Sequence, residues 1–185
     1  MVVDSYMMLV EPIRLFDGLV TLAEITLNNA VELHAMLSDK QLCDNAGLIQ
    51  HTHIHQTFDF IIEGNLGVKN SQQYFYGIYV DSVLVGLINL FNLNYIEKTG
   101  EYGYFISSDH LRKGYMIRAI KLLSNYVLEN TALNKINVYV DVSNKPSLGL
   151  AKKLALKPAE TSLEVDLQDR NVDMIRYEID SLFDS

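Results

Sequence analysis

His110-Leu111-Arg112-Lys113-Gly114-Tyr115-Met116-Ile117 marks the point at which the chain changes its period. Before it, Glu101 to Ser107 has the aromatic and alternating character of a strand. After it, Ile117, Ile120, Leu123, Tyr126, Val127 and Leu128 recur at helical spacing, with no proline or glycine from Tyr115 to Asn130. Gly114 therefore sits where a strand gives way to a long helix. The first amides of a helix lack intrahelical acceptors and carry partial positive charge, an arrangement that suits phosphate oxygens. Arg112 and Lys113 add full charges beside them. The stretch has neither the Gly-Lys-Ser/Thr of a P-loop nor the three glycines of a dinucleotide fingerprint, so nucleotide hydrolysis and nicotinamide binding recede.

Outward from this junction the pattern is mixed. Towards the N-terminus, Tyr74 to Val80 and Val83 to Phe91 read as strands joined by an Asp81-Ser82 hairpin loop. Asp17-Gly18, between Pro12 to Phe16 and Leu19 to Thr26, marks another hairpin. Asn28 or Asn29 can cap a helix that ends near Ser38. From Asp39 to Gly67 the pattern weakens, and the expectation is a loop with one short helix, Thr57 to Glu63, ending towards Gly64. Towards the C-terminus, Ile136 to Val142 returns to strand composition. Asn144 can cap a helix with Pro146 in its first turn and Lys152 and Lys153 near its end. Two strands close the chain, about Ser162 to Leu167 and Asp173 to Ile179. The order predicts an α/β (α+β) fold, a mixed, mostly antiparallel central sheet flanked by helices, in a single domain over residues 1–185.

A chain of 185 residues with 49% hydrophobic content can bury a substantial core. The net charge of −8 argues against a surface built for nucleic acid. The charge is unevenly placed: Arg112 to Lys157 holds nine basic residues and two acidic ones, a local +7, and the rest carries −15. The single cysteine, Cys43, excludes an internal disulfide or a cysteine zinc site and fits a reducing cytoplasm. No signal peptide or membrane span is expected. His51, His53 and His55 alternate, so an extended segment would place three rings on one face. Without fixed acidic partners nearby, they read as an acceptor-pocket wall or as loop histidines, and no metal is assigned.

Glu101-Tyr102-Gly103-Tyr104-Phe105-Ile106, then Arg112-Lys113-Gly114-Tyr115-Met116 opening a helix, then Asn144-Lys145-Pro146-Ser147 and Lys152-Lys153-Leu154-Ala155-Leu156, together resemble the GNAT acetyltransferase superfamily, most closely its RimJ/RimL branch. The likeness runs from about Leu19 to Ile179. It implies a GNAT-like fold and transfer of an acetyl group from acetyl-CoA, as co-substrate, to a cationic amine, a protein N-terminus or a small amine. A non-catalytic CoA-binding or regulatory module is the alternative. In the family the loop before the long helix reads Gln/Arg, two residues, Gly, one residue, Gly/Ala. Here that pattern falls on Leu111, Gly114 and Met116, of which Gly114 matches. Ala155-Leu156 stands where relatives usually carry Gly-Phe.

The resemblance assigns acetyl-CoA contacts to Phe105, Ile106, Arg112, Lys113, Gly114, Tyr115, Met116, Ile117, Asn144 and Ser147. Backbone N–H groups around Phe105 and Ile106 would stabilise the oxyanion. Glu101 is the candidate base, acting through a water, and Ser147 the candidate acid or water holder. Tyr104, Tyr115 and Tyr139 are alternative acids. The acceptor's identity is left open, with neither nucleic acid nor membrane among the partners, and a homodimer rests on the likeness alone.

Overall fold

A computed structural model of the chain describes residues 13–165 and 171–184. Eight strands form one sheet in the order β1-β2-β3-β4-β5-β6-β8-β7. They are β1 (Leu15–Phe16), β2 (Val20–Ala23), β3 (Tyr74–Val80), β4 (Val83–Asn94), β5 (Thr99–Ile106), β6 (Lys135–Asp141), β7 (Pro158–Val165) and β8 (Asn171–Ile179). Every neighbouring pair is antiparallel except β5 and β6, which run parallel. A parallel pair needs a crossover. The long helix that follows Gly114, α4 (Tyr115–Asn130), supplies most of it. The helices before it are α1 (Ala30–Leu37), α2 (Lys40–Ala46) and α3 (Ile54–Lys69), and α5 (Lys145–Lys153) follows β6.

The expected hairpins form. Asp17 Oδ1 accepts from the N–H groups of Leu19 and Val20 at 3.0 and 2.8 Å, and Gly18 takes a φ of +96°. Asp81 and Ser82 both have positive φ, the turn geometry whose twist matches the flanking strands. Asn29 is the N-cap of α1 and Asn144 that of α5. Pro12, Asp166 and Leu167, placed above at strand ends, lie outside the described residues.

Asp39 to Gly67 departs from expectation. It holds a complete helix, α2, with Asp39 accepting from the amides of Gln41 and Leu42 and Gly47 closing it at a φ of +67°. The helix expected from Thr57 to Glu63 runs from Ile54 to Lys69, so Gly64 does not end it. A Cβ on Gly64 would strike the Phe75 ring, and one on Gly67 would strike Gln73. Gly64 serves close packing on β3, and Gly67 on the residue that precedes it.

Strand alternation sorts the faces. Tyr102 turns to α4, its hydroxyl 2.9 Å from Ser124 Oγ. On the opposite face Phe75 stacks edge-on against Phe60 of α3. Met116, Ala119, Ile120, Leu123 and Val127 are buried at helical spacing and seat α4 on the sheet. Arg118 binds Asp17 at 2.9 Å, tying α4 to the first hairpin.

Candidate functional site

The parallel ladder between β5 and β6 has three residue pairs, Thr99 with Lys135, Gly100 with Ile136 and Glu101 with Asn137. Beyond them the two strands part. Tyr104, Phe105 and Ile106 form one arm of the fork, and the end of β6 leading into α5 forms the other. The cleft between the arms has a volume of about 560 Å³.

A strained loop opens α4 into this cleft. Ser107 Oγ lies 2.8 Å from His110 Nδ1, and both Arg112 and Gly114 adopt left-handed backbone, at φ of +63° and +83°. Gly114 is the N-cap and has no side chain to bond the first amides, and the first turn contains no acidic residue. Those amides are left to whatever lies in the cleft.

Of the residues assigned from sequence, Phe105, Ile106, Arg112, Gly114, Tyr115, Met116, Ile117, Asn144 and Ser147 line the cleft. Lys113 and Glu101 do not. Sequence reasoning missed Lys145 and Lys153 on the α5 side and Leu42, Asn45 and Ala46 of α2. The two lysines belong to the +7 stretch. The Asp39 and Gly47 caps could have revealed α2. Of the remaining bases in that stretch, Arg118, Lys121 and Lys135 are engaged elsewhere, with Asp17, the Asp184 carbonyl and Glu178.

Asn144 braces the α5 arm. Its Oδ1 accepts from Ser147 N–H at 3.0 Å and its Nδ2 donates to the Asn45 carbonyl at 2.6 Å, joining α5 to the end of α2. This makes it a strut first, with less hydrogen-bonding capacity left for a ligand. Ser147 is hydrogen-bonded through its side chain to Tyr104 across the fork; burial raises the Tyr104 pKa, and the bond to Ser147 moderates the rise. The pair is a hydroxyl relay able to hand a proton into the cleft.

The other face of the fork carries a second depression, a trough of about 570 Å³, lined by Asn92, Glu97, Glu101, Asn137, Tyr139 and Arg176 among others. Glu101 accepts from Asn92 Nδ2 at 3.2 Å. Lys135, Glu178, Arg176 and Glu160 form a chain of ion pairs along its edge.

The acetyltransferase (GNAT) domain profile matches residues 20–157, about three quarters of the chain. The chain belongs to the GNAT acetyltransferase family. A Bacillus subtilis (strain 168) protein named as a ribosomal N-acetyltransferase, YdaF, is 30% identical to this GNAT chain over 78 residues, 42% of this chain and 43% of that protein. The spermidine N(1)-acetyltransferase of Escherichia coli (strain K12) is 30% identical over 74 residues, 40% of each. These matches thus span less than half of either relative. Among solved structures, the microcin C7 self-immunity acetyltransferase MccE, in complex with acetyl-CoA and AMP, superposes with a TM-score of 0.78 at 18% identity, covering 89% of this chain and 94% of that one. RimL, the ribosomal L7/L12 alpha-N-protein acetyltransferase in complex with CoA, gives 0.78 at 15% identity, covering 88% and 94%. These likenesses show the GNAT fold.

Two departures from the GNAT pattern have structural readings. Ala155 takes a φ of +55° where a glycine would be relaxed, and Leu156 N–H still bonds the Ala151 carbonyl at 3.0 Å, so the helix end keeps its shape. Leu111 is exposed and lines the GNAT cleft. The expectation of three histidines on one face fails because the segment is not extended. His53 is the N-cap of α3 and His55 lies in its first turn. His51 instead shares the buried Thr57 hydroxyl with His34, both Nδ1 atoms 2.9 Å from Oγ1. Among the described residues no group suited to a metal ion occurs.

One hydroxyl proton serves one ring, so the second ring must donate from its own Nδ1. Burial, and then His34, hold the His51 pKa below its ordinary value. The folded state prefers neutral His51, so an unfolded chain takes up the proton first as pH falls through about 6.5. Stability should therefore fall between pH 7.5 and 5. Denaturant titrations at the two pH values should show a smaller loss for His51→Phe than for the unsubstituted protein.

Proposed function

We propose that the chain is an acetyl-CoA-dependent N-acetyltransferase with an amine acceptor. The observation that carries this reading is the open fork, with the uncapped start of α4 on one side and the Tyr104–Ser147 hydroxyl pair across it. The names of the relatives, which specify a ribosomal protein and spermidine as acceptors, and of a structural neighbour holding acetyl-CoA support it.

In this reading Arg112, Lys145, Lys153 and the first amides of α4 hold the phosphates, and Phe105, Ile106, Met116 and Ile117 flank the pantetheine arm. The acceptor nitrogen attacks the thioester carbonyl, the carbon–sulfur bond breaks, and the thiolate takes a proton through Ser147 and Tyr104. The backbone N–H of Ile106 faces the developing oxyanion; that of Phe105 lies, like Ser107 N–H, on the edge of β5 that pairs with β4. Glu101, on the acceptor side of the fork, removes the amine proton through a water. At a rise of about 3.3 Å per residue it stands about 13 Å along β5 from Phe105, too far for direct contact. No helix among the described residues is long and apolar enough to cross a membrane. The cytoplasm, with its acetyl-CoA and free amines, is the compartment this reading takes.

The test is thermal stabilisation by CoA together with thiol release from acetyl-CoA against a panel of amines and N-terminal peptides. Stabilisation with turnover is expected. Stabilisation without transfer to any amine would leave a CoA-binding module, and no stabilisation would remove CoA altogether. Arg112 lines the cleft and Lys113 does not. Arg112→Ala should therefore weaken CoA binding about fivefold and flatten its salt dependence, while Lys113→Ala stays within about twofold. Calorimetric titrations at low and high salt check both.

A further inference from the structure

α2 is an excursion from the rest of the fold, and the two ends of that excursion meet. The chain leaves α1 at Ser38 and returns at His51, whose N–H donates to the Leu37 carbonyl at 2.8 Å, while Gln50 Nε2 donates to the Ser38 carbonyl at 2.8 Å. Between these points α2 reaches the cleft. Asp39, Gln41, Leu42, Asn45 and Ala46 line it, and the Asn45 carbonyl accepts from Asn144 of α5 at 2.6 Å. Whatever fixes the neck at Ser38 and His51 therefore fixes this wall of the cleft.

The neck is closed by a circuit of hydrogen bonds in which each proton has one place. Ser38 Oγ donates to the His51 carbonyl at 3.1 Å, so it accepts from His34 Nε2–H at 3.3 Å. A neutral His34 then accepts at Nδ1 from the Thr57 hydroxyl, and Thr57 Oγ accepts from His51 Nδ1–H, both at 2.9 Å. The circuit begins on the imidazole of His51 and ends on its backbone, joining α1, α3 and the neck. Thr57 is fully buried. A proton added to His34 Nδ1 strips the Thr57 hydroxyl of its acceptor. A proton added to His51 charges an imidazole packed against Phe60, where burial and His34 already disfavour the charge. Among the described residues, no carboxylate is in ion-pair contact with either imidazole. On α1, Glu32 accepts from Asn29; on α2, Asp39 turns to the amides of Gln41 and Leu42, and Lys40 pairs with Asp44. On α3, His53, His55 and Asp59 are exposed.

Building on the acetyltransferase reading proposed above, we infer that His34, Ser38, His51 and Thr57 are positioning residues of the enzyme: their circuit clamps the neck of α2, sets the wall that α2 gives the acetyl-CoA cleft, and releases that wall on acidification. None of the four lines the cleft, and none takes part in bond making.

Cys43 reports on the clamp. It is the single cysteine, lies on α2, is fully buried and donates to the Leu37 carbonyl at 3.2 Å, so a reagent reaches it when α2 lifts. Its labelling by 4,4′-dithiodipyridine, divided at each pH by the rate for the urea-unfolded chain, measures that opening. In the unsubstituted protein the ratio should rise about fivefold from pH 7.5 to 5.5, where an opened histidine takes up its proton, and His51→Phe should shrink the rise. Thr57→Val should raise it about tenfold at pH 7.5, and Thr57→Ser should restore it to within about twofold. Low urea should leave these rates unchanged, because opening by global unfolding accelerates with denaturant. Calorimetry should find acetyl-CoA bound about fivefold more weakly by Thr57→Val, and saturating acetyl-CoA, which has no free thiol, should slow labelling in return. A ratio equal at both pH values, Thr57→Val labelled no faster than the unsubstituted protein, acceleration by low urea, or unaltered acetyl-CoA affinity overturns the inference. Should Thr57→Val not fold, the pH response of the unsubstituted protein against that of His51→Phe decides. If acetyl-CoA binds no form of the protein, the acetyltransferase reading fails by itself. The labelling ratios then decide the clamp alone: a pH response lost in His51→Phe supports it, and one retained in full overturns it.

Discussion

Glu101→Gln should slow acetyl transfer by about 10² to 10⁴ in kcat, the range associated with loss of a general base. The substitution keeps the length of the side chain, and the amide can still accept from Asn92 Nδ2, which lies 3.2 Å from the carboxylate. Glu101 lines the trough rather than the CoA cleft. CoA affinity, measured by calorimetry, should therefore stay within about twofold while turnover collapses. A kcat unchanged in the variant would remove Glu101 from the proton path. A rise in KM alone would leave it a role in holding the acceptor.

The second large effect is structural and reaches the cleft through the backbone. Gly86 on β4 pairs with Ile106, and a Cβ there would collide with the Phe105 carbonyl oxygen and the Ile106 side chain. A carbonyl in a strand has no rotamer by which to yield, so Gly86→Ala must push β5 aside. Overpacking of this kind costs about 1 to 3 kcal/mol, or roughly 3 to 10 °C in melting temperature at this chain length. The residues displaced are Phe105 and Ile106, both at the cleft, so CoA affinity should fall together with stability. Gly103→Ala provides the contrast. Its Cβ would meet the edge of the Phe91 ring at 3.3 Å, and a ring can turn. A Gly86→Ala protein with unaltered melting temperature and CoA affinity would refute this account.

What the sequence made legible was local. Asp17-Gly18 and Asp81-Ser82 specify their turns by backbone preference, Asn144 and Pro146 specify the start of α5, and the apolar period after Gly114 specifies α4. The cleft residues on the Gly114 loop followed, because a loop and the helix it opens are neighbours in the chain. Lys113 shows the limit of that reasoning: the loop's two left-handed residues, Arg112 and Gly114, set its path, and Lys113 is left outside the cleft lining. Gly64 looked like a helix stop because the Phe75 ring that requires a glycine arrives from another element. The trough was invisible for a similar reason. Asn92, Glu101, Asn137 and Arg176 come from four strands, and strand register brings them together.

The three-pair ladder between β5 and β6 also has a mechanical consequence. It divides the sheet into blocks of five strands and three, joined by those pairs and the α4 crossover. The backbone edge of β5 beyond Glu101 faces the fork instead of a neighbouring strand. An extended ligand with amide groups of its own would occupy the place of a missing strand and clamp the blocks together. Amide exchange at Tyr104 and Ile106 would then report the closing of the sheet as well as the presence of the ligand.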